Sequence, residues 1–128
     1  MRAFAILLTA CVAISVLAAA PVAGAATRRA TDPEARVRFT LDGRLLTVRV
    51  LPRAPRRVRR ELFGKRIRAV CGTRFPFTAG GKVRRTRRWP AGRRRLRYRF
   101  ARNISRRVRW CLVEHPRGGD VAVVIFAR

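Results

Sequence analysis

In residues 93–100, Arg-Arg-Arg-Leu-Arg-Tyr-Arg-Phe, arginine and apolar residues trade places at every step from Arg95 onward. A period of two puts Leu96, Tyr98 and Phe100 on one side of an extended chain and Arg95, Arg97 and Arg99 on the other. On a helix the same letters would spread charge around the axis and leave no continuous apolar stripe. The pattern calls for a β-strand with one dry and one wet face, and the dry face needs a second layer to cover it.

The same period recurs along the chain. Val37, Phe39 and Leu41 alternate with Arg36, Arg38 and Thr40, and Asp42-Gly43 is a hairpin dipeptide. Leu46, Val48 and Val50 then alternate with Thr47 and Arg49. Pro52 ends the hairpin. Residues 55–63 read as a short helix: Pro55 suits its first turn, Val58 and Leu62 lie one turn apart, Glu61 and Lys65 are spaced to pair, and Gly64 suits its C-terminal cap.

Residues 67–71 read as a strand, 73–81 as a Pro- and Gly-bearing loop, and 82–88 as an edge strand with Val83 as its aliphatic anchor. Turns are expected at 89–92 and 103–105. Val108, Trp110 and Leu112 alternate with Arg107, Arg109 and Cys111 in a further strand. Beyond a turn at 116–120, residues 121–126 are apolar throughout, as in a central strand covered on both faces. The fold class is mostly β: a small antiparallel β-sandwich or barrel-like sheet of about seven strands, with one short helix and one disulfide. The immunoglobulin pattern fits poorly. Cys71 and Cys111 are 40 positions apart, Trp89 lies 18 after the first, and Arg109 stands where a tyrosine is expected.

The N-terminus has a separate logic. Arg2 precedes an apolar run over residues 3–20, Pro21 breaks it, and Ala23-Gly24-Ala25 offers small residues for cleavage. Residues 1–25 therefore read as a secretory signal peptide cut after Ala25 or Ala26, which places the protein outside the cytoplasm. The run is long enough for a retained anchor, but its alanine content, Pro21 and the small-residue site favour cleavage. Cys11 follows a lipobox-like Leu8-Thr9-Ala10, yet only ten residues precede it and the apolar run continues past it. A twin-arginine signal lacks its arginine pair ahead of the run. Residues 26–35 read as a flexible lead-in and 36–128 as one cationic domain. The two cysteines that remain, Cys71 and Cys111, are expected to pair.

Charge dominates what is left. The 128-residue chain carries 32 basic and 6 acidic residues, a net charge of +26. Only Lys65 and Lys82 are lysines. A GC-rich codon vocabulary explains arginine in place of lysine, but not the scarcity of acids. Between Lys82 and Arg109 no acidic residue interrupts the basic ones. Half-exposed sheets ordinarily mix both signs on the wet face, and like charges opposite one another weaken a sheet. This points to a polyanion contacted by Arg94, Arg95, Arg97, Arg99, Arg107 and Arg109, the last two joining the same face if their strand pairs with residues 94–100. Arg84, Arg85, Arg87 and Arg88 form a second cluster. Trp89 is placed to be exposed beside it, and Phe75 and Phe77 flank Pro76 in a candidate contact loop. Candidate partners are cell-wall polymers, acidic polysaccharides, lipid headgroups and extracellular nucleic acid.

Chemistry has little to work with. The lone His115 and two paired cysteines cannot build a zinc site, and no nucleotide-binding glycine motif is present. No cofactor is implied. Asn103-Ile104-Ser105 matches a glycosylation sequon, which a turn also explains. A ribonuclease-like site would use His115 as acid, Glu61 or Glu114 as base, and arginines around the phosphate. The reading is a non-enzymatic, exported polyanion binder, with a secreted interaction or inhibitor domain for an acidic protein as the alternative.

Overall fold

The computed structural model describes residues 27–74, 81–104 and 106–127. The signal-peptide segment, Phe75 and Phe77, and Ser105 of the sequon lie outside the described residues.

Eight strands and one helix follow in chain order: β1 (Arg28–Asp32), β2 (Val37–Asp42), β3 (Leu45–Val50), α1 (Arg56–Leu62), β4 (Arg66–Gly72), β5 (Lys82–Arg88), β6 (Arg95–Arg99), β7 (Trp110–Glu114) and β8 (Asp120–Ile125). They form two antiparallel four-stranded sheets, ordered β1-β2-β3-β6 and β5-β4-β7-β8. The expected β-sandwich is present, with its expected short helix and its Cys71–Cys111 disulfide.

The first sheet follows the sequence alternation directly. Leu41, Leu46 and Tyr98 stand in one inward row, and Phe39, Val48 and Leu96 in the next. All six are buried. In the second sheet Ile67, Ala69, Cys71, Cys111, Val113 and Val124 complete the shared core. α1 carries the chain from one sheet to the other and buries Val58 and Leu62 in that core. Phe63 is its C-cap, and Gly64 follows in the left-handed region (φ +77°). Glu61 and Lys65 do not pair as their spacing suggested; among the described residues the one ion pair joins Arg68 to Glu114.

The cysteines face each other directly across β4 and β7, with Cα atoms 4.1 Å apart. The bridge therefore lies within one sheet, whereas the immunoglobulin bridge joins two. Closing a loop of 40 positions is worth about 4 kcal/mol in the chain-entropy model. Small domains need such a constraint most.

Both flanks of the sandwich are closed. On one side β1 lies against β8. Asp32 Oδ2 accepts the backbone N–H of Val123 at 2.9 Å. The Arg28 guanidinium donates to the carbonyls of Val108 and Ala127 and lies 5.1 Å from the Phe126 ring centre. On the other side β5 lies against β6, and Arg87 donates to the Arg97 carbonyl at 2.5 Å. Inside, the Tyr98 hydroxyl donates to the Ile67 carbonyl at 3.0 Å and ties the sheets through the core.

Four further sequence expectations change. Residues 28–32 of the supposed flexible lead-in form strand β1: a turn in which Asp32 accepts the backbone N–H groups of Glu34 and Ala35 folds them back to pair with β2, and Arg28 and Asp32 then bond to the opposite sheet. The strand expected over Val108, Trp110 and Leu112 starts at Trp110, and its faces are reversed. Cys111 and Val113 point into the inter-sheet core, while Trp110 and Leu112 join Val70 on the outer face of the second sheet. Residues 121–126 are not a central strand: β8 is the edge beside β7, and Ile125 is 57% exposed. Its apolar character serves the contact with β1 as well as the core. Trp89 is fully buried, donates to the Arg93 carbonyl at 2.6 Å and tilts against Phe63 at 6.2 Å.

Candidate functional site

The wet face of the first sheet is built by strand register. Arg95, Arg97 and Arg99 project from β6 as the alternation required, and all three are exposed. Their neighbour is β3, so the outward positions of β3 and β2 extend the same surface. Arg38 of β2 stands directly opposite Arg49 of β3, and Arg49 directly opposite Arg95 of β6. Three like charges thus occupy one row on adjacent strands, which are spaced about 4.8 Å apart. The next row runs Arg29, Thr40, Thr47 and Arg97, and the third Asp42, Leu45 and Arg99. The face holds six arginines and one acid.

Such a row is repulsive in isolation. Arg38 is half-buried within it, and its Nε is buried with no hydrogen-bond partner among the described residues. A buried guanidinium N–H without an acceptor costs free energy. The exposed members of the row, Arg49 and Arg95, are the ones an oxyanion could meet from solvent.

The other expected contact residues are dispersed. Arg107 and Arg109 belong to the approach to β7 in the second sheet and cannot extend the β6 face, because β6 pairs with β3. Arg107 is exposed in a turn. Arg109 is half-buried, with its N–H on the Gly72 carbonyl and its own carbonyl accepting from Phe126. Arg94 precedes β6 and is exposed.

On edge strand β5, register splits the second cluster. Arg84 and Arg88 share the outer face with Val70 and Arg66, whereas Arg85 and Arg87 project on the side of Ala69 and Ile67. Arg88 donates to the Gly64 carbonyl at 2.9 Å. Trp89, buried, offers no stacking surface.

A second concentration of charge was not expected. An open cleft of about 800 Å³ lies between α1, the start of β4 and the β7–β8 turn. Arg57, Arg60 and Glu61 reach it from α1, Lys65 and Arg66 from the chain entering β4, and His115 and Arg117 from the turn. Two of the three groups named for a ribonuclease-like site, Glu61 and His115, thus line one cleft. Glu114 is engaged elsewhere: it accepts from Arg68 at 2.8 Å. Asp120 stands opposite it, and burial together with the Glu114 charge raises the Asp120 pKa above its ordinary value.

Sequence reasoning missed Arg29, Arg38 and Arg49. The alternation of β2 and β3 marks Arg38 and Arg49 as outward, but which strand lies beside β3 is not written there. No group of three or more potential metal ligands occurs among the described residues. No family model, curated protein or solved structure matches this chain. The class is therefore defined by the fold and surface alone: a disulfide-bonded, strongly cationic β-sandwich.

Proposed function

We propose that the protein is an exported, non-enzymatic module that binds an anionic polymer through the outer face of its first sheet. The observation that carries this reading is the Arg38–Arg49–Arg95 row, three like charges in direct register on adjacent strands. A fold that keeps three like charges in direct register gains from a polyanion what it loses without one. Charge runs along the sheet as well: Arg95, Arg97 and Arg99 recur about every 7 Å on β6. An extended polymer meets several cations at once, and its affinity derives from ion release, not from sequence readout. The signal-peptide pattern and the disulfide suit an oxidising, extracytoplasmic setting.

The test is a salt titration of the oxidised full chain against a labelled single-stranded oligonucleotide, used as a generic polyanion. Binding is expected to persist at physiological salt and to fall linearly on a log–log plot. Replacing Arg38, Arg49 and Arg95 together by Thr should weaken it and flatten the slope by about one unit per lost contact. An unchanged slope removes this face as the binding surface. A salt-insensitive complex of fixed stoichiometry with an acidic protein would favour the interaction-domain alternative. Shortening of an RNA probe, abolished by His115→Ala, would instead make the protein a nuclease.

A further inference from the structure

The cleft beside α1 differs in kind from the open sheet face. Though open, it draws side chains from three separate segments, and most of its wall is hydrocarbon, from Pro116 and the stems of its long cations. Five cations surround it: Arg57, Arg60, Lys65, Arg66 and Arg117. One carboxylate, Glu61, stands among them, and it forms no ion pair among the described residues. His115 adds an imidazole N–H.

From these groups we propose a discrete small-ligand site for a phosphate monoester that carries a neighbouring hydroxyl. Four arginines and a lysine outnumber the single acid, so the cleft favours a compact dianion over one charge of a diester chain. Guanidinium forks match phosphate oxygens in pairs. Glu61 accepts hydrogen bonds and cannot donate them when ionised. It therefore repels a second anion and selects a ligand hydroxyl next to the phosphate. A polyol phosphate or sugar phosphate meets both demands, free or as the end group of a longer polymer. The apolar walls take the carbon skeleton between the two polar ends.

The experiment is isothermal titration calorimetry of the oxidised full chain with glycerol 3-phosphate, n-propyl phosphate and glycerol. One-to-one binding of glycerol 3-phosphate is expected, stronger than that of propyl phosphate, with glycerol silent. Arg60→Ala and Arg117→Ala, both at exposed positions, should each weaken it about tenfold or more. Glu61→Ala should erase the preference for glycerol 3-phosphate over propyl phosphate while leaving phosphate binding in place. The triple Thr variant of the sheet face should bind glycerol 3-phosphate as the unaltered chain does, so failure of the polymer surface and failure of this cleft are separate results. The proposal is overturned if glycerol 3-phosphate gives no saturable binding, if neither arginine variant changes it, or if the sheet-face variant lowers it equally.

Discussion

Arg49 stands between two other arginines, directly opposite Arg38 on one strand and Arg95 on the other. A sheet has a ready cure for such a row in threonine, which occupies the neighbouring positions Thr40 and Thr47. Arg49→Thr should therefore raise the thermal midpoint by a few degrees at low salt in the absence of polyanion. The gain should shrink as salt screens the row. Differential scanning calorimetry at two ionic strengths measures both effects. A lower midpoint would mean that Arg49 contributes packing that outweighs the repulsion.

Tyr98 ties the two sheets through its hydroxyl on the Ile67 carbonyl. Tyr98→Phe keeps the ring and loses that bond, at a cost of about 1–3 kcal/mol in chemical denaturation. Burial raises the phenol pKa well above its ordinary value of 10.0, with Arg87 pulling weakly the other way. The folded state thus holds a proton that the unfolded state releases. This contribution to stability is fully present below pH 10 and is lost as pH rises above it. Ultraviolet titration should show phenolate appearing only well above pH 10, and the phenylalanine variant should lack this part of the alkaline loss.

Asp120 faces Glu114 at the start of β8, and its pKa is raised by burial first and by the Glu114 charge and hydrogen bond second. Its penalty is absent below the unfolded value near 3.8 and develops as pH rises through the raised folded value. Asp120→Asn should therefore stabilise the protein at neutral pH and lose that advantage in acid. Denaturation midpoints at pH 7 and pH 3 check this. A variant less stable at pH 7 would show that Asp120 acts mainly by pairing with a cation.

Gly72 lies opposite Trp110, and a Cβ there would fall well inside contact distance of the indole ring. The indole cannot step aside easily: it is 1% exposed, and its Nε1 donates to the Arg74 carbonyl at 2.8 Å. Gly72→Ala should cost about 1–3 kcal/mol through overpacking. Tryptophan fluorescence should report the displaced indole, and an unshifted spectrum with unchanged stability would count against this packing.

Much of the fold was legible because strands declare themselves at period two. The hairpin of β2 and β3, the burial of Tyr98 and Phe100 and the edge character of β5 follow from local pattern, and the cysteine pairing follows from the even count left beyond the signal-peptide segment. For β7, alternation assigns Trp110 and Leu112 to the core, whereas they belong to a second, outer apolar cluster with Val70. β1 is not legible in this way because Arg28–Asp32 lacks an apolar alternation: it pairs with β2 and is tied to the opposite sheet by the polar side chains of Arg28 and Asp32.

The candidate surface divides in the same way. The sign of the charge, the wet face of β6 and the dry face beneath it were legible from the chain alone, since these depend on composition and on neighbours along it. The folded arrangement sets β6 beside β3 and not beside β7, which brings Arg38 and Arg49 to Arg95 and sends Arg107 and Arg109 elsewhere. It also places Glu61 and His115 in one cleft. Strand order and the meeting of distant segments depend on how two apolar faces pack against each other, a choice no local period encodes.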